Sequence, residues 1–190
     1  GPEPDSSLTS LHRHFLEHGY RTGALGKLHT PRYWLERDCQ FVYDELLEFP
    51  RYLEGLGLYE VNDNRAFAQN ARQGGRSNLP LEHSCEWALV NQVRRFIRNE
   101  GEPADRARRA EPWMAWVCFS RPHQPYTPSE PYASRYDPDD ITLPPTGEAE
   151  SANIAAARSH ERYGPFDEET LRRNVAAYLG CVSQVDAAFG

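Results

Sequence analysis

The fold is decided by YRTGALGKLH, residues 20–29. Residues 20–25 are partly apolar and extended in character, which predicts a short strand, and the GKLH that follows is typical of a polar loop. Residues 7–18, just before this stretch, place leucines and a phenylalanine at helical spacing. They lead to Gly19, a residue type that often ends helices. A helix, a strand and a polar loop in this order indicate an α/β protein.

A second strand is predicted at WMAWVCF, residues 113–119, a continuous apolar run between Pro112 and the Arg-Pro of residues 121–122. An apolar run of this length with helix-breaking residues at its ends predicts a strand that is buried on both faces. Residues 121–145 are rich in proline, tyrosine and aspartate and predict a long ordered loop. Such loops carry function more often than other segments do.

Three further helices are predicted from apolar periodicity: a short one around residues 50–56, one that begins after Ser84, and a long one over residues 167–189. The long helix starts with three acidic residues, which are favourable near the positive end of the helix dipole. Its apolar stripe is predicted to consist of Leu171, Val175, Tyr178, Leu179, Val182, Val185 and Phe189. The polar segments are expected to be exposed or mobile loops, at residues 62–80, 99–112 and 147–164.

The composition excludes several classes of protein. The 190 residues include 28 acidic and 21 basic side chains, a formal charge of −7, and the mean hydropathy is −0.75. No apolar run approaches the roughly 20 residues that a membrane-spanning helix needs. An acidic chain without a basic block also argues against nucleic-acid binding. The chain does not begin with methionine, so we expect it to start inside a longer protein or after a processing event. Its length predicts one domain or a large part of one.

The four cysteines, Cys39, Cys85, Cys118 and Cys181, are far apart in the sequence and form no CxxC pair. This spacing fits neither a zinc site nor a small disulfide scaffold. We therefore expect mostly buried free thiols. None of the four lies in a sequence setting that is typical of a nucleophile.

Polar clusters directly follow both predicted strands, GKLH at residues 26–29 and RPHQPY at residues 121–126. Open α/β sheets bind ligands at the carboxyl ends of their strands, so two parallel strands would bring Lys27, His29 and His123 to one edge. A lysine ammonium suits an anionic group, and histidine exchanges protons near neutral pH. Together these residues predict binding and cleavage of a phosphate or sulfate ester. The alternative is that these residues form an ordinary solvated loop. One observation favours the site over this alternative: Lys27 is the single lysine among 21 basic residues.

Other polar groups suggest different sites. YDPDD, residues 136–140, offers oxygen ligands of the kind that hard metal ions prefer. It lacks the spacing of a calcium loop, and the same residues are typical of a turn capped by an aspartate. On the first predicted helix, His14 and His18 share a face, and together with His12 they are expected to be exposed surface groups.

In their order along the chain these motifs resemble those of the sulfatase family. FLEHGYRTGALGKLH, residues 15–29, is similar to the family signature in which a helix precedes GYRT…GKxH. The strand at residues 113–119 and the RPHQPYTP of residues 121–128 resemble the family's PHxPYxPP element. Residues 131–141 continue it in the style of bacterial arylsulfatases, choline-sulfatases and phosphonate monoester hydrolases. Residues 174–190 resemble the helix before the family's second metal-binding strand.

The resemblance implies an alkaline-phosphatase-like α/β/α sandwich with a mostly parallel central sheet. Residues 1–190 would be the incomplete, central part of a single catalytic domain of that kind. The resemblance also implies that Lys27 contacts the sulfate and the nucleophile, and that His29 assists proton transfer at a formylglycine hydroxyl. His123 would hydrogen-bond the sulfate and assist departure of the alkoxide. The implied substrate is a small-molecule sulfate monoester, and the implied cofactor is a divalent cation, usually calcium, that polarises the ester oxygens.

Two parts of the family pattern are missing from the chain. It contains no Cys/Ser-x-Pro/Ala-x-Arg motif, from which formylglycine is made. It also lacks the family's metal-binding segments, which are an N-terminal aspartate pair and a later Asp-His/Asn-Gly. We therefore expect the nucleophile and the metal ligands to lie outside residues 1–190, and these residues alone to be inactive. Two alternatives stay open: a phosphonate monoester or phosphodiester hydrolase, and a non-catalytic fragment that binds an anion. Lys27→Ala is expected to lower turnover far more than Arg21→Ala.

Overall fold

The computed structural model describes residue 5 and residues 7–61, 74–100, 111–145 and 166–190. The chain divides into two compact units, Gly1–Tyr52 with Trp87–Ser120, and Leu53–Glu86 with Arg121–Gly190. Of the predicted loops, most of 62–80 and of 99–112 and all of 147–164 lie outside the described residues. The helices and strands, in chain order, are α1 (Leu11–Glu17), β1 (Arg21–Gly26), α2 (Arg32–Asp38), β2 (Phe41–Asp44), α3 (Glu45–Gly55), α4 (Cys85–Arg98), β3 (Trp113–Cys118) and α5 (Glu168–Phe189).

A three-stranded parallel sheet in the order β2-β1-β3 forms the centre of the first unit. The central strand, β1, pairs with β2 on one side and with β3 on the other. Gly26 lies opposite both Asp44 and Cys118, so the three strands end together at one carboxyl edge. This topology confirms the parallel α/β arrangement that the sequence predicts.

Helices cover both faces of this sheet. On one face, Leu35 of α2 packs in a buried cluster with Ala24 of β1. On the other face, Leu89 and Phe96 of α4 form a cluster with Leu25 of β1. Because consecutive strand residues point to opposite faces, the two clusters define a helix–sheet–helix sandwich within the first unit, as expected.

The helix and strand predicted at the N-terminal end both form, although α1 begins at Leu11 and not at residue 7. The N-terminus of α1 is capped by the Ser10 hydroxyl, which accepts a hydrogen bond from the Arg13 N–H at 3.0 Å. The chain then turns at Gly19, whose φ of +80° favours glycine. All six residues of β1 are buried, although its sequence is only partly apolar.

The second predicted strand forms as β3, but it is not buried on both faces. Trp113 is 46% exposed and Trp116 is 51% exposed. The reason is its place in the sheet: within the described residues β3 pairs with β1 alone and therefore forms an edge. An apolar run signals a strand, whereas its burial depends on what covers it.

Three elements between residues 30 and 56 differ from the prediction. α2 and β2 were not predicted, because seven and four residues are too few for a clear periodic pattern. The helix expected around residues 50–56 starts earlier, at Glu45, and contains Pro50 in its interior. Its first turn is set by Asp44, whose carboxylate accepts a hydrogen bond from the Leu46 N–H at 3.1 Å.

The long C-terminal helix forms as predicted, but it buries a different face. The Asp167 carboxylate caps α5 by accepting a hydrogen bond from the Thr170 N–H at 2.7 Å. Three members of the predicted stripe, Tyr178, Val182 and Phe189, are exposed. The buried residues are small or polar: Thr170, Ala176, Ala177, Gly180, Cys181, Gln184 and Ala188. A Cβ atom on Gly180 would lie 2.6 Å from the Tyr132 carbonyl oxygen, so close packing selects small side chains on this face.

Asn99, at the start of the segment 99–112 that was predicted to be exposed, is buried. The guanidinium of Arg21, at the start of β1, donates to the Asn99 side-chain oxygen at 3.0 Å and to the Ile97 carbonyl at 3.1 Å. It also donates to the carbonyl of Phe96 and lies over that ring. Arg21 therefore satisfies the last carbonyl groups of α4, where a cation also complements the helix dipole.

Candidate active site

The GKLH segment leaves the carboxyl end of β1 in a fixed conformation. Gly26 has a φ of +109°, and a Cβ atom there would lie 1.9 Å from the carbonyl oxygen of Cys118. The next residue, Lys27, donates its backbone N–H to that same carbonyl at 2.9 Å. Leu28 packs against the cluster of Ala24. The glycine, one backbone hydrogen bond and one apolar anchor therefore fix the positions from which the side chains of Lys27 and His29 extend.

A buried carboxylate lies at the same edge of the sheet. Glu45, directly after β2, accepts a hydrogen bond from the Ser120 hydroxyl, two residues after β3. Because β1 lies between β2 and β3, this hydrogen bond passes the end of β1 where the chain continues to Lys27. The carboxyl edge of the first unit is thus tied across its central strand.

His123 belongs to the second unit and lies in the loop that follows β3 in sequence. Its side chain is exposed, whereas Arg121, Pro125 and Thr127 around it are buried. The ring Nδ1 is 2.7 Å from the carbonyl oxygen of Gln124. Since a carbonyl only accepts, Nδ1 carries the proton, and in the neutral ring Nε2 is the basic nitrogen.

The loop that carries His123 is connected to a buried polar network in the second unit. Arg121 and Glu86 form an ion pair with 3.3 Å between Nη1 and Oε2, and both side chains are buried. The same carboxylate oxygen accepts from the Gln184 amide nitrogen of α5 at 2.7 Å. A second guanidinium nitrogen of Arg121 donates to the Thr127 hydroxyl at 3.2 Å.

The structure places the three predicted site residues as follows. Lys27 and His29 lie two residues apart on the segment that leaves β1, at the carboxyl edge of the sheet. β3 is the parallel neighbour of β1 and ends at Cys118, five residues before His123. The parallel strands required by the prediction are therefore present in the first unit. The approach of His123, in the second unit, to Lys27 remains a prediction.

The four cysteines have the properties of structural thiols. All are free, with Cys39, Cys85 and Cys181 buried and Cys118 half-buried, as the sequence predicts. Burial raises the pKa of the Cys39 thiol to about 12, and the nearby Asp38 carboxylate adds to the shift. A thiol with this pKa is protonated at neutral pH and is a weak nucleophile.

The described ranges contain no group of three or more His, Cys, Asp or Glu side chains that could hold a metal ion. The YDPDD motif forms the alternative that its sequence allows. The carboxylate of Asp137 accepts the backbone N–H of Asp139 at 2.9 Å, which is an aspartate-capped turn at the start of a short 3-10 helix, Pro138–Asp140. The metal expected from the family resemblance therefore has no fitting set of ligands in this part of the chain.

The histidines of α1 differ in their surroundings. His14 and His18 are exposed and share a face, with 4.3 Å between their ring centroids, as predicted. His12 was expected to be exposed but is half-buried, with its ring edge toward Trp116 of β3 at a centroid distance of 6.5 Å. Burial lowers the pKa of His12, and the Asp38 carboxylate partly opposes that shift.

Two groups of polar residues near the site were not predicted: the Glu45–Ser120 pair and the network of Glu86, Arg121 and Gln184. Each joins positions that are 35 to 98 residues apart in sequence, so no local pattern reveals the pairing. One feature of the sequence could have indicated the second group: a charged or amide side chain in a helical turn whose other residues are small or apolar. Glu86 beside Cys85 and Gln184 near Cys181 both fit that description.

Comparisons with known proteins agree with this architecture. A family model described as Sulfatase matches residues 2–190. The crystal structure of a phosphonate monoester hydrolase from Agrobacterium radiobacter is 18% identical, with a TM-score of 0.64 over 99% of this chain and 44% of that one. A phosphonate monoester hydrolase from Silicibacter pomeroyi is 17% identical, with a TM-score of 0.65 over 98% of this chain and 43% of that one.

At these identities the likeness concerns the fold, and it confirms the expected alkaline-phosphatase-like architecture. The chain spans less than half the length of the two solved proteins that it matches. No curated protein sequence matches it significantly. Among the helices that the structure describes, none is sufficiently long and apolar to cross a membrane.

Proposed function

Because the chain belongs to the sulfatase family, we propose that it is the central part of a catalytic domain that hydrolyses a small-molecule sulfate monoester. The observation that carries the proposal is the placement of Lys27. It is the single lysine of the chain, and it leaves the central strand at a glycine that nothing larger can replace. An ammonium at the carboxyl edge of a parallel sheet suits a sulfate group.

Each of the three site residues has a distinct part in the proposed reaction. Lys27 would bind the non-bridging oxygens of the sulfate and stabilise the charge that develops on them. His123, in its imidazolium form, would donate its Nε2 proton to the departing alkoxide, while Nδ1–H stays bonded to the Gln124 carbonyl. His29 would accept a proton when sulfate is released. The net reaction consumes one water and yields an alcohol and hydrogen sulfate.

Residues outside this chain would complete the site. Formylglycine, made from a cysteine or serine, would supply the nucleophile, and a divalent cation, which the family resemblance implies to be calcium, would polarise the ester. The described residues offer no ligand cluster for the cation. The buried thiol of Cys39 also does not suit the formylglycine position, since its flanking residues lack the required motif.

The first test is turnover of an aryl sulfate by the full-length protein carrying Lys27→Ala. We expect kcat/KM to fall by about 100- to 1000-fold, the usual loss for one group that stabilises transition-state charge. Arg21 is a poor control, because its guanidinium is buried on α4 and its removal would perturb the fold. The matched control is Arg32→Ala, an exposed cation in an i,i+4 pair with Glu36. Equal losses in Lys27→Ala and Arg32→Ala would contradict the role of Lys27.

A second candidate reaction is hydrolysis of a phosphonate monoester, which is the activity named for both solved proteins. At 17% and 18% identity they support the fold of this chain and leave its substrate open. Aryl sulfate and aryl phosphonate esters with the same leaving group separate the two reactions. A higher kcat/KM for the phosphonate would replace the sulfate proposal.

A third candidate is binding of an anion without turnover. Thermal unfolding of residues 1–190 in increasing sulfate tests it, because a ligand that binds only the folded state raises stability. An unchanged melting temperature at millimolar sulfate would count against this alternative. A rise that Lys27→Ala abolishes would support it.

A further inference from the structure

The proposed mechanism assigns no role to the buried carboxylate of Glu86. Glu86, at the start of α4, is 1% exposed, and all of its described partners belong to the second unit. Replacing a buried ion pair by apolar side chains is often neutral or stabilising, so its presence is weak evidence of a stabilising role. The geometry around Glu86 points instead to the loop that carries His123.

The carboxylate of Glu86 is held by donors from three elements. Oε2 accepts from Arg121 at 3.3 Å and from the Gln184 amide at 2.7 Å, and Oε1 accepts from the Cys85 thiol at 3.2 Å. The Gln184 side chain is completely buried, and its own carbonyl oxygen accepts the backbone N–H of Ser129 at 2.7 Å. Both ends of the Gln184 amide are thus engaged, and its orientation is fixed.

These contacts hold the loop at two points, one before His123 and one after it. At the first point, Arg121 is bound to Glu86 two residues before the histidine. At the second point, Ser129 is bound to Gln184, and its hydroxyl donates to the Leu79 carbonyl at 3.1 Å. Between them only a short segment, residues 122–128, is left to define where the exposed imidazole lies.

We propose that Glu86 is a positioning residue for His123. It acts through Arg121 on one side and through Gln184 and Ser129 on the other. This inference rests on the proposed role of His123 in hydrolysis. Misplacement of a reacting group by about 1 Å is enough to lower turnover about 100-fold, so a carboxylate that touches no substrate can still determine the rate.

The test is a double-mutant cycle in the full-length protein. Glu86→Gln keeps the side-chain shape but removes the charge that holds Arg121. We expect it to lower kcat by about 30- to 100-fold with KM changed less than threefold, and to cause no further loss in a His123→Ala background. Equal losses in both backgrounds would show that Glu86 acts independently of His123. The matched control is Glu82→Gln, an exposed carboxylate four residues earlier.

Two further measurements keep the inference testable. If Glu86→Gln fails to fold, Gln184→Met removes the contacts of Gln184 with Glu86 and Ser129 but leaves the Glu86–Arg121 ion pair, and it should show the same dependence on His123. If the wild-type protein hydrolyses neither ester, the proposed function fails, and the ¹⁵N shifts of the His123 ring still report positioning. Loss of the Nδ1–H tautomer preference in Glu86→Gln would support the inference. Unchanged ring shifts and ring pKa in a folded Glu86→Gln protein would overturn it.

Discussion

The neighbouring strands β1 and β3 differ in composition and in burial, and the more polar strand is the more deeply buried one. β1 contains an arginine, a threonine and two glycines, and all six of its residues are buried. β3 has the sequence WMAWVC, yet both of its tryptophans are about half exposed. The difference follows from position, because β1 is paired on both sides and covered by helices on both faces, whereas β3 is an edge of the described sheet.

The polar groups of β1 are buried at low cost because each has a partner. Arg21 donates to the end of α4, and the Thr22 hydroxyl donates to the Asp38 carbonyl at 3.1 Å. The glycines provide space: a Cβ atom on Gly23 would lie 2.9 Å from the Phe96 ring, and one on Gly26 would overlap the Cys118 carbonyl. Burial of a strand therefore depends on satisfied hydrogen bonds and close approach as much as on apolar content.

The largest expected effect comes from Gly26→Ala in β1. The added methyl group meets backbone and the φ of +109° is strained for alanine, so we expect a loss of at least about 3 kcal/mol in the free energy of unfolding. Gly19→Ala is the control, since its φ is +80° but no atom lies within 4 Å of the new Cβ. It should cost about 1 kcal/mol. Urea unfolding measures both, and equal losses would mean that the contact with Cys118 is unimportant.

The next effect compares a polar residue of β1 with an apolar one of β3. Arg21→Ala leaves the carbonyls of Phe96 and Ile97 and the oxygen of Asn99 without this donor, so we expect a loss of about 2–4 kcal/mol. Trp116→Ala removes a side chain that is half in solvent and should cost about 1 kcal/mol. Composition alone predicts the reverse order. A larger loss for Trp116→Ala would show that β3 is better covered than its exposure indicates.

The smallest effect concerns His12, whose ring edge faces Trp116 of β3. Because burial lowers its pKa in the folded state, the unfolded chain binds more protons as the pH falls through the unfolded value of about 6.5. The contribution of His12 to stability is therefore present above that pH and is lost as the pH falls toward the folded pKa. Replacement by glutamine should flatten the fall in melting temperature between pH 7 and pH 5.5. The measurement is the slope of the melting temperature against pH in the wild type and in His12→Gln, and equal slopes would contradict this contribution of His12.

The sequence is a good guide to elements and a poor guide to which faces they bury. α1, β1, β3, α4 and α5 were predicted because periodicity, caps and breakers are local properties of the chain. The buried face of α5 was not, because Gly180 lies against Tyr132 and Pro128, 48 and 52 residues away. There the space between backbones, and not side-chain hydrophobicity, determines which residues are inside.

The candidate site also has a part that the sequence predicts and a part that it does not. GKLH follows a strand directly in sequence, so its place at the sheet edge was predictable from Gly26 and its neighbours. The supports of the site were not, since Glu45 meets Ser120 across 75 residues and Glu86 meets Gln184 across 98. Pairings at such separations are set by the topology of the whole domain, which a local reading does not contain.

The single lysine, Lys27, offers a way to measure local opening at the carboxyl edge of the sheet. A lysine-specific protease has one cleavage point in these 190 residues, the bond after Lys27. That bond adjoins a backbone N–H bonded to Cys118 and a leucine that is packed against the sheet. Cleavage into residues 1–27 and 28–190 therefore requires local unfolding. The rate at which the two bands appear on a gel measures how fast the carboxyl end of the central strand opens.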